Sequence, residues 1–194
     1  MSEVAAIVLA AGQGTRFGEE PKLLARFEGK PLVRWVAEAA VGSSARPVIA
    51  VTGHRAEDVE VVVRDLPVRA IRNPAFADGL AGSLKAGFSA LPPEARAAIV
   101  LLADMPLVTA HMIDDLVSAW LEKRPVALVP TVDGRRGNPV VLSRGLEEPI
   151  RGLAGDAGAA SILRGHPDVR EWPTANRAFL QDVDTTDALK ALRR

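Results

Sequence analysis

The amino-acid sequence predicts an α/β fold: a three-layer α/β/α sandwich around a Rossmann-like, mostly parallel sheet. Over the first two-thirds of the chain, short apolar runs alternate with segments of helical spacing, and this alternation implies right-handed crossovers between parallel strands. The first apolar run is hydrophobic on both faces, as the central strands of parallel sheets are. No internal repeat, low-complexity tract or linker divides the 194 residues, so we expect one domain over residues 1–194, with 125–183 as its less regular, substrate-facing part.

Strands are expected at the apolar runs that glycine, proline or charged residues interrupt. They lie at residues 4–10, 47–52, 68–71, 97–103, 125–132, 138–142, 169–172 and 180–183. Helices are expected at residues 31–40, 56–64, from within 79–87 to 91, 109–122, after 155–158, and from 185 to about 192. Pro31 suits a first helical turn because proline lacks the N–H that a helix start leaves unpaired. Thr109 and Thr185 are typical N-caps.

Composition excludes several classes of function. Hydrophobic residues make up 48% of the chain and charged residues 25%, as in an ordinary globular protein. The formal net charge of zero argues against a nucleic-acid binder that depends on a global positive field, although it leaves room for a local anion pocket. The chain contains no cysteine, which excludes disulfides, cysteine-ligated zinc and thiol nucleophiles.

No targeting or membrane segment is recognisable in the sequence. Residues 1–8 lead directly into a strand, without a basic segment followed by an uninterrupted apolar region and a cleavage site. No apolar run reaches membrane-spanning length. We therefore expect a cytoplasmic location and no membrane partner.

A glycine-rich loop with two cations follows the first strand. Gly12 and Gly14 allow backbone N–H groups to approach phosphate oxygens, while Arg16 and Lys22 supply positive charge. The dinucleotide fingerprint needs a third glycine three residues after the second, and this chain has Phe17 there. The P-loop needs a glycine followed by lysine, which no glycine of this loop provides. The loop is thus either a polyphosphate site of another type or a plain surface turn.

Acidic residues occur at two further predicted strand ends. Asp104 follows the most apolar run directly, where a carboxylate is costly unless it meets a cation or hydrogen-bond donors. Asp182 and Asp184 flank Val183 near the last predicted strand. Because ligands of open α/β sheets bind beyond the carboxyl ends of the strands, these carboxylates and the glycine loop are expected to hold a nucleoside triphosphate with Mg²⁺. The alternatives are that Asp104 caps a turn and that Asp184 or Thr185 caps the last helix.

Other polar residues carry weaker signals. Ser83 is either a helix N-cap or a hydroxyl that faces the base or ribose of a ligand. Arg135 and Arg136 lie in a turn that is either solvated or able to reach an anionic substrate. The three histidines are scattered and are interpreted as surface or cap residues.

The motifs together resemble a known family. The segments LAAGQGTRFG at 9–18 and PKLL at 21–24 resemble the signature of nucleotidyltransferases with the nucleotide-diphospho-sugar transferase fold. The resemblance continues in GSL at 82–84, LADMP at 102–106, RGNPV at 136–140, GDAGA at 155–159 and DVDT at 182–185. This combination is most similar to molybdenum cofactor cytidylyltransferases, and it covers essentially the whole chain.

The resemblance implies an enzyme that joins CTP to the terminal phosphate of the molybdenum-pterin cofactor, giving the cytosine dinucleotide form and pyrophosphate. Arg16, Lys22 and Asp104 would be catalytic, and Asp104 would bind Mg²⁺ with help from Asp182 or Asp184. The remaining binding residues implied are Leu9, Ala10, Ala11, Gly12 and Gly14 at the triphosphate, Gly82 and Ser83 near the nucleoside, and Asn138 and Asp156 on the pterin side. A molybdoenzyme would receive the product.

Some positions depart from the family pattern, and other functions remain open. Guanylyl-transferring relatives typically carry a second glycine where this chain has Ala11, which favours CTP over GTP. Ala160 stands where arginine is common, Phe17 where methionine is common, and Thr186 where proline is usual. The alternatives are a nucleotidyltransferase of the same fold that uses GTP or another phosphorylated metabolite, and a carrier or chaperone that hands the cofactor to a molybdoenzyme without catalysis.

Overall fold

The computed structural model describes residues 2–18 and 20–192. The strands in chain order are β1 (Val4–Ala10), β2 (Arg26–Phe27), β3 (Lys30–Pro31), β4 (Val48–Thr52), β5 (Val68–Arg72), β6 (Ala97–Leu102), β7 (Ala127–Val132), β8 (Arg135–Arg136), β9 (Val140–Ser143) and β10 (Val169–Pro173). The α-helices are α1 (Leu32–Gly42), α2 (Ala56–Val63), α3 (Leu80–Ser89), α4 (Ala110–Lys123), α5 (Glu147–Arg151), α6 (Ala159–Leu163) and α7 (Thr186–Ala191). Short 3₁₀ helices lie at Lys22–Leu24, Phe76–Asp78, Arg144–Leu146 and Arg177–Leu180.

The central sheet is mostly parallel. Its strand order within the described residues is β10-β7-β9-β6-β1-β4-β5, with β8 paired to β7. β1 is an inner strand and pairs in parallel with both β4 and β6. β9 is antiparallel to its neighbours β6 and β7. Leu9 of β1 is in register with Leu102 of β6, so these two strands end side by side at one edge of the sheet.

Helices cover both faces of the sheet, and β1 shows the alternation that this requires. Val4, Ala6, Val8 and Ala10 pack in a core with α1, α2 and α4. Ala5, Ile7, Leu9 and Ala11 pack in a second core with α3, α5 and α6. Burial on both faces explains why β1 is apolar throughout, and the predicted α/β sandwich is confirmed.

A third, smaller cluster lies beside the loop that follows β1. Its buried members are Phe17, Ala25, Phe27, Leu32, Val183 and Leu189. It joins the glycine loop, the β2–β3 hairpin, the start of α1 and the chain around α7. This cluster holds segments that are more than 160 positions apart in sequence against one another.

Several sequence expectations are wrong in detail. Residues 180–183 form no strand: the chain leaves the 3₁₀ helix at Leu180, and the N–H of Val183 donates instead to the carbonyl of Asp104 at 2.9 Å. α3 begins at Leu80 with Gly79 as its N-cap residue, so Ser83 lies inside the helix and is no cap. Pro31 is the N-cap residue of α1, one position before the helix. The caps at Thr109 and Thr185 are confirmed, since each side chain accepts a backbone N–H from Met112 and Ala188 respectively.

None of the helices in the described part of the chain combines the length and the hydrophobicity needed to cross a membrane.

Glu60 of α2 joins three elements, and its ionisation is expected to affect stability. Its carboxylate accepts hydrogen bonds from Arg72 at 2.8 Å and from the Thr52 hydroxyl at 2.9 Å, and the bond from Arg72 is the main cause of its lowered pKa. A carboxyl whose pKa is lower in the folded state stabilises the fold above its unfolded pKa and loses this effect as the pH falls through the folded value.

We expect Glu60→Gln to lower the free energy of unfolding by about 1 kcal/mol at pH 7, since the side chain is 26% exposed, and by much less at pH 3. Urea unfolding at both pH values measures the difference. Glu57→Gln is the matched control, because Glu57 lies 3.8 Å from Arg72 and is 86% exposed. A Glu60→Gln deficit that persists unchanged at pH 3 would contradict an ionic origin.

Candidate functional site

A cavity of about 430 Å³ opens where β1 and β6 end. The carboxyl edge of a parallel sheet is where α/β folds bind ligands, because loops from neighbouring strands converge there. Many of the residues singled out in the sequence line this cavity: Leu9, Ala11, Gly12, Gly14, Arg16, Lys22, Ser83, Asp104, Asp156 and Asp184. The structure therefore brings the glycine loop and the acidic residues to one place.

The glycine loop turns at Gly14, which adopts the left-handed conformation with φ +62°. The N–H of Phe17 donates to the Gly14 carbonyl at 2.8 Å, and the Phe17 ring is buried in the small third cluster. A Cβ atom on Gly14 would lie 2.7 Å from Cβ of Lys22. The lack of a side chain at position 14 thus lets Lys22 pass close to the loop backbone.

Lys22 is the central cation of the site. It starts a 3₁₀ helix after Pro21, and its Nζ donates to Asp104 Oδ2 at 2.5 Å and to Asp184 Oδ1 at 3.1 Å. Burial alone would lower the pKa of Lys22, but the two carboxylates outweigh it and raise the pKa above the ordinary value. The side chain is therefore charged at neutral pH.

Asp104 follows β6 and is only 15% exposed. Burial raises the pKa of Asp104, against the opposing effect of Lys22 and with a further contribution from Asp182. Its second oxygen, Oδ1, is buried and has no hydrogen-bond partner among the described residues. Buried carboxylate oxygens nearly always have a partner, so this oxygen is available to a ligand that the protein itself does not supply.

The segment around Val183 brings two more carboxylates to Asp104. Val183 is fully buried in the third cluster, and its N–H is bonded to the Asp104 carbonyl. Thr185 caps α7, which leaves the Asp184 side chain free to bond Lys22 and, at 3.0 Å, Arg16. Each of Asp104, Asp182 and Asp184 offers one oxygen, and these oxygens lie within 4.8 Å of one another.

This donor set fits a hard divalent cation. Carboxylate oxygens are the ligands that Mg²⁺ and Mn²⁺ prefer, and Mg²⁺ typically uses one or two carboxylates together with phosphate oxygens of a substrate. The orphaned Asp104 oxygen is the strongest indication, because a cation there would compensate the cost of its burial. Asp104, Asp182 and Asp184 are therefore the residues that could hold such an ion.

Ser83 lines the cavity, whereas Gly82 does not, and both residues lie against Asn73. The Ser83 hydroxyl accepts a hydrogen bond from Nδ2 of Asn73 at 3.1 Å, and a Cβ on Gly82 would lie 3.1 Å from the same nitrogen. Asn73 is buried, and its Oδ1 accepts from the N–H of Ala75. Sequence reasoning misses Asn73, because an Asn-Pro pair at 73–74 is typical of a turn and carries no functional signal. The nearby cavity-lining residues Phe76 and Leu80 were missed too, because apolar side chains give no chemical signal.

Three predicted binding residues, Ala10, Gly82 and Asn138, do not line the first cavity, and neither does the predicted metal ligand Asp182. Ala10 is fully buried and faces the core beneath α1 and α4, so its side chain lines neither cavity described here. Asn138 lines a second cavity of about 230 Å³, together with Arg136, Ala160 and aliphatic side chains. The two cavities share Leu9, Leu80 and Leu102 and are therefore neighbours. Asp156, which was grouped with Asn138, lines the first cavity instead.

Gly14→Ala is expected to weaken binding of inorganic tripolyphosphate with Mg²⁺ by about 10–100-fold, because the added methyl displaces Lys22 or the loop, and small displacements of positioned groups are costly. Gly134→Ala is the matched control: Gly134 also has a positive φ, at +75°, but its Cβ would meet nothing within 4 Å and it lies in the β7–β8 turn. Both variants should lose a similar amount of stability from backbone strain, about 1–2 kcal/mol. Calorimetric titration measures the affinity of each variant for tripolyphosphate with Mg²⁺. Equal affinities in Gly14→Ala and Gly134→Ala would contradict a role for Gly14 in placing Lys22.

Comparison with known proteins shows which families this chain resembles. The model of the MobA-like NTP transferase domain matches residues 6–170. Nicotine blue oxidoreductase of Paenarthrobacter nicotinovorans is 29% identical over 97% of this chain and 96% of that protein. The bifunctional protein GlmU of Cutibacterium acnes is 31% identical over 97% of this chain, which spans 43% of that protein.

Solved structures show the same fold. The crystal structure of Rv0371c from Mycobacterium tuberculosis H37Rv superposes with a TM-score of 0.85 at 23% identity, covering 98% of this chain and 97% of that one. A second structure of Rv0371c, in complex with manganese, has a TM-score of 0.81 at 21% identity and covers 98% of each chain. With the family model matching most of its length, this chain belongs to the MobA-like NTP transferase domain family.

Proposed function

We propose that this protein is a divalent-metal-dependent cytidylyltransferase that joins CTP to the terminal phosphate of the molybdenum-pterin cofactor. The observation that carries the proposal is the cavity lined by Arg16, Lys22, Asp104 and Asp184, with Asp182 completing a three-carboxylate cluster beside it. Cations that can bind phosphate, directly beside carboxylates that can bind a metal ion, are what a nucleoside triphosphate and its Mg²⁺ require. The family to which the chain belongs is consistent with this chemistry.

The reaction that we propose is a displacement at phosphorus without a covalent enzyme intermediate. An oxygen of the acceptor phosphate forms a bond to the α-phosphorus of CTP, the bond from that phosphorus to the bridging oxygen breaks, and pyrophosphate leaves with the electron pair. Lys22 and Arg16 would hold the triphosphate and offset the charge that develops on the leaving pyrophosphate. A bound Mg²⁺ would supply further charge stabilisation at the phosphate oxygens.

The second cavity is where we propose that the acceptor substrate binds. It adjoins the first cavity through Leu9, Leu80 and Leu102, so that a molecule there could present a phosphate toward the nucleotide. Arg136 and Asn138 supply its polar groups, and Ala160 leaves its wall apolar where family members commonly have arginine. Arg136 is thus the cation of this lining that could meet an acceptor phosphate.

Ala11 supports CTP as the nucleotide. It lines the first cavity, and a Cβ on the neighbouring Gly53 would lie 2.8 Å from the Ala11 methyl, so this wall is tightly packed. We expect Ala11→Gly to shift the ratio of kcat/KM for CTP over GTP by about tenfold toward GTP, the scale on which one methyl group discriminates substrates. Initial rates with each nucleotide measure the ratio, and an unchanged ratio would contradict a role of Ala11 in nucleotide choice.

The decisive experiment is incubation of the protein with CTP or GTP, Mg²⁺ and purified molybdenum-pterin cofactor, followed by mass analysis of the product. The proposal expects the cytosine dinucleotide and an equal amount of pyrophosphate. Guanine dinucleotide would overturn the nucleotide assignment. Pyrophosphate release only with another phosphorylated acceptor would overturn the pterin assignment. Binding of the cofactor without any pyrophosphate would favour a carrier that delivers it to a molybdoenzyme.

A further inference from the structure

Both cations that are expected to bind phosphate are already paired with one side chain. Asp184 Oδ1 lies 3.1 Å from Lys22 Nζ, and Asp184 Oδ2 lies 3.0 Å from a guanidinium nitrogen of Arg16. The two oxygens of this carboxylate are thus divided between the two cations. Asp182, the other acidic residue of the same segment, is hydrogen-bonded or ion-paired with neither cation in the described part of the chain, although it is equally part of the carboxylate cluster.

Two ligands, a polyphosphate and a divalent cation, each compete with the ion pairs that Asp184 makes. A polyphosphate needs Lys22 and Arg16, and it must displace Asp184 from both to reach them. A divalent cation at the carboxylate cluster needs oxygens of Asp104 and Asp184, and Lys22 is bonded to one oxygen of each. When Asp184 turns to a metal ion, its ion pairs with Lys22 and Arg16 break, and Lys22 keeps only its bond to Asp104. Phosphate binding then no longer has to break the ion pairs with Asp184.

We propose that Asp184 couples the two binding events: it occupies the phosphate-binding cations in the metal-free protein and releases them when it binds a divalent metal ion. The inference rests on the phosphate site of the proposed function but requires neither CTP specificity nor the pterin acceptor. It makes the affinities of metal and polyphosphate mutually dependent, since any such coupling is reciprocal. The free polyphosphate then binds poorly, and its metal complex binds well.

The test compares Asp184→Asn with Asp182→Asn. Each variant removes one negative charge from the same cluster, but only the first removes the partner of Lys22 and Arg16. The probe is inorganic tripolyphosphate, titrated calorimetrically into the full chain, once in EDTA and once in saturating Mg²⁺. Asp184 is 38% exposed and Thr185 caps α7 independently, so both variants should fold, and circular dichroism checks this.

In EDTA we expect Asp184→Asn to bind tripolyphosphate at least about tenfold more tightly than the wild type, and Asp182→Asn to differ from the wild type by less than about threefold. The ratio of affinities with and without Mg²⁺ should be largest in the wild type and reduced in Asp184→Asn. Equal gains in the two variants would show a general charge effect and overturn the coupling, as would no gain in either.

The outcome can be separated from that of the proposed function. Tripolyphosphate binding that follows the expected pattern, in a protein that makes no cytosine dinucleotide, would support the coupling and reject the enzymatic assignment. Dinucleotide synthesis by the wild type, with no difference in tripolyphosphate affinity between the two variants in EDTA, would support the enzymatic assignment and reject the coupling. Failure of the wild type to bind tripolyphosphate even in saturating Mg²⁺ would overturn the phosphate site and the coupling with it.

Discussion

Asp104→Asn is expected to lower the rate of nucleotidyl transfer by about 10²–10³-fold, the loss typical of removing one preorganised electrostatic group from an active site. The substitution keeps the shape of the side chain and removes its charge. Asparagine retains one oxygen that can accept from Lys22, but it replaces the orphaned carboxylate oxygen or its neighbour with an amide nitrogen, which binds no metal ion. The three-carboxylate cluster is thereby reduced to two exposed or half-buried members, Asp182 and Asp184.

The measurement needs a readout that separates chemistry from folding. In the wild type, the midpoint of thermal unfolding should rise with added Mg²⁺ or Mn²⁺, because a ligand that binds the folded state stabilises it. In Asp104→Asn this rise should be lost while the melting temperature in EDTA is at least retained, since burial of the charged carboxylate is costly. Asp187→Asn is the control, because Asp187 lies in α7 and pairs only with Lys190 in the described part of the chain. Near-wild-type turnover by Asp104→Asn would contradict the assignment.

Much of this site follows from strand order alone. Asp104 and the glycine loop come after two apolar runs, and parallel strands that pair in register end at the same edge of a sheet. Residue type then limits the chemistry, because a carboxylate after a fully apolar strand needs a compensating cation. Asp182 and Asp184 were harder to place, and it is the buried Val183, bonded to the carbonyl of Asp104, that brings them close.

Other features depend on contacts that no local pattern encodes. The sequence leaves Ser83 as either a helix N-cap or a hydroxyl that faces a ligand. α3 begins three residues earlier, at Leu80, and Asn73, which follows β5, donates to the Ser83 hydroxyl. Residues 180–183 have a strand-like composition, yet Val183 is held by the loop after β6 and by the third cluster, so the segment has no strand to pair with among the described residues. Long-range packing overrides local propensity at both places.

Lys22→Met is expected to lower transfer by a similar factor, about 10²–10³-fold, but its effect on stability should be opposite to that of Asp104→Asn. Methionine preserves much of the apolar stem and removes the ammonium group. Asp104 is then left largely buried with no cation in contact, which should cost about 1–3 kcal/mol of unfolding free energy in EDTA. Lys190→Met, which removes an exposed cation from α7, should change neither activity nor stability.

The diagnostic result is the response of Lys22→Met to metal. Because a divalent ion at the carboxylate cluster replaces the missing positive charge, saturating Mg²⁺ should restore most of the lost stability without restoring activity. The double variant with Asp104→Asn should be less destabilised in EDTA than Lys22→Met alone, since residues in direct contact are not additive. Full turnover in Lys22→Met would contradict a role of Lys22 at the phosphate. A stability loss that Mg²⁺ leaves unchanged would contradict its role as the cation of the carboxylate cluster. The combination of lost catalysis and metal-rescued stability is what a cation placed between a triphosphate and its metal ligands requires.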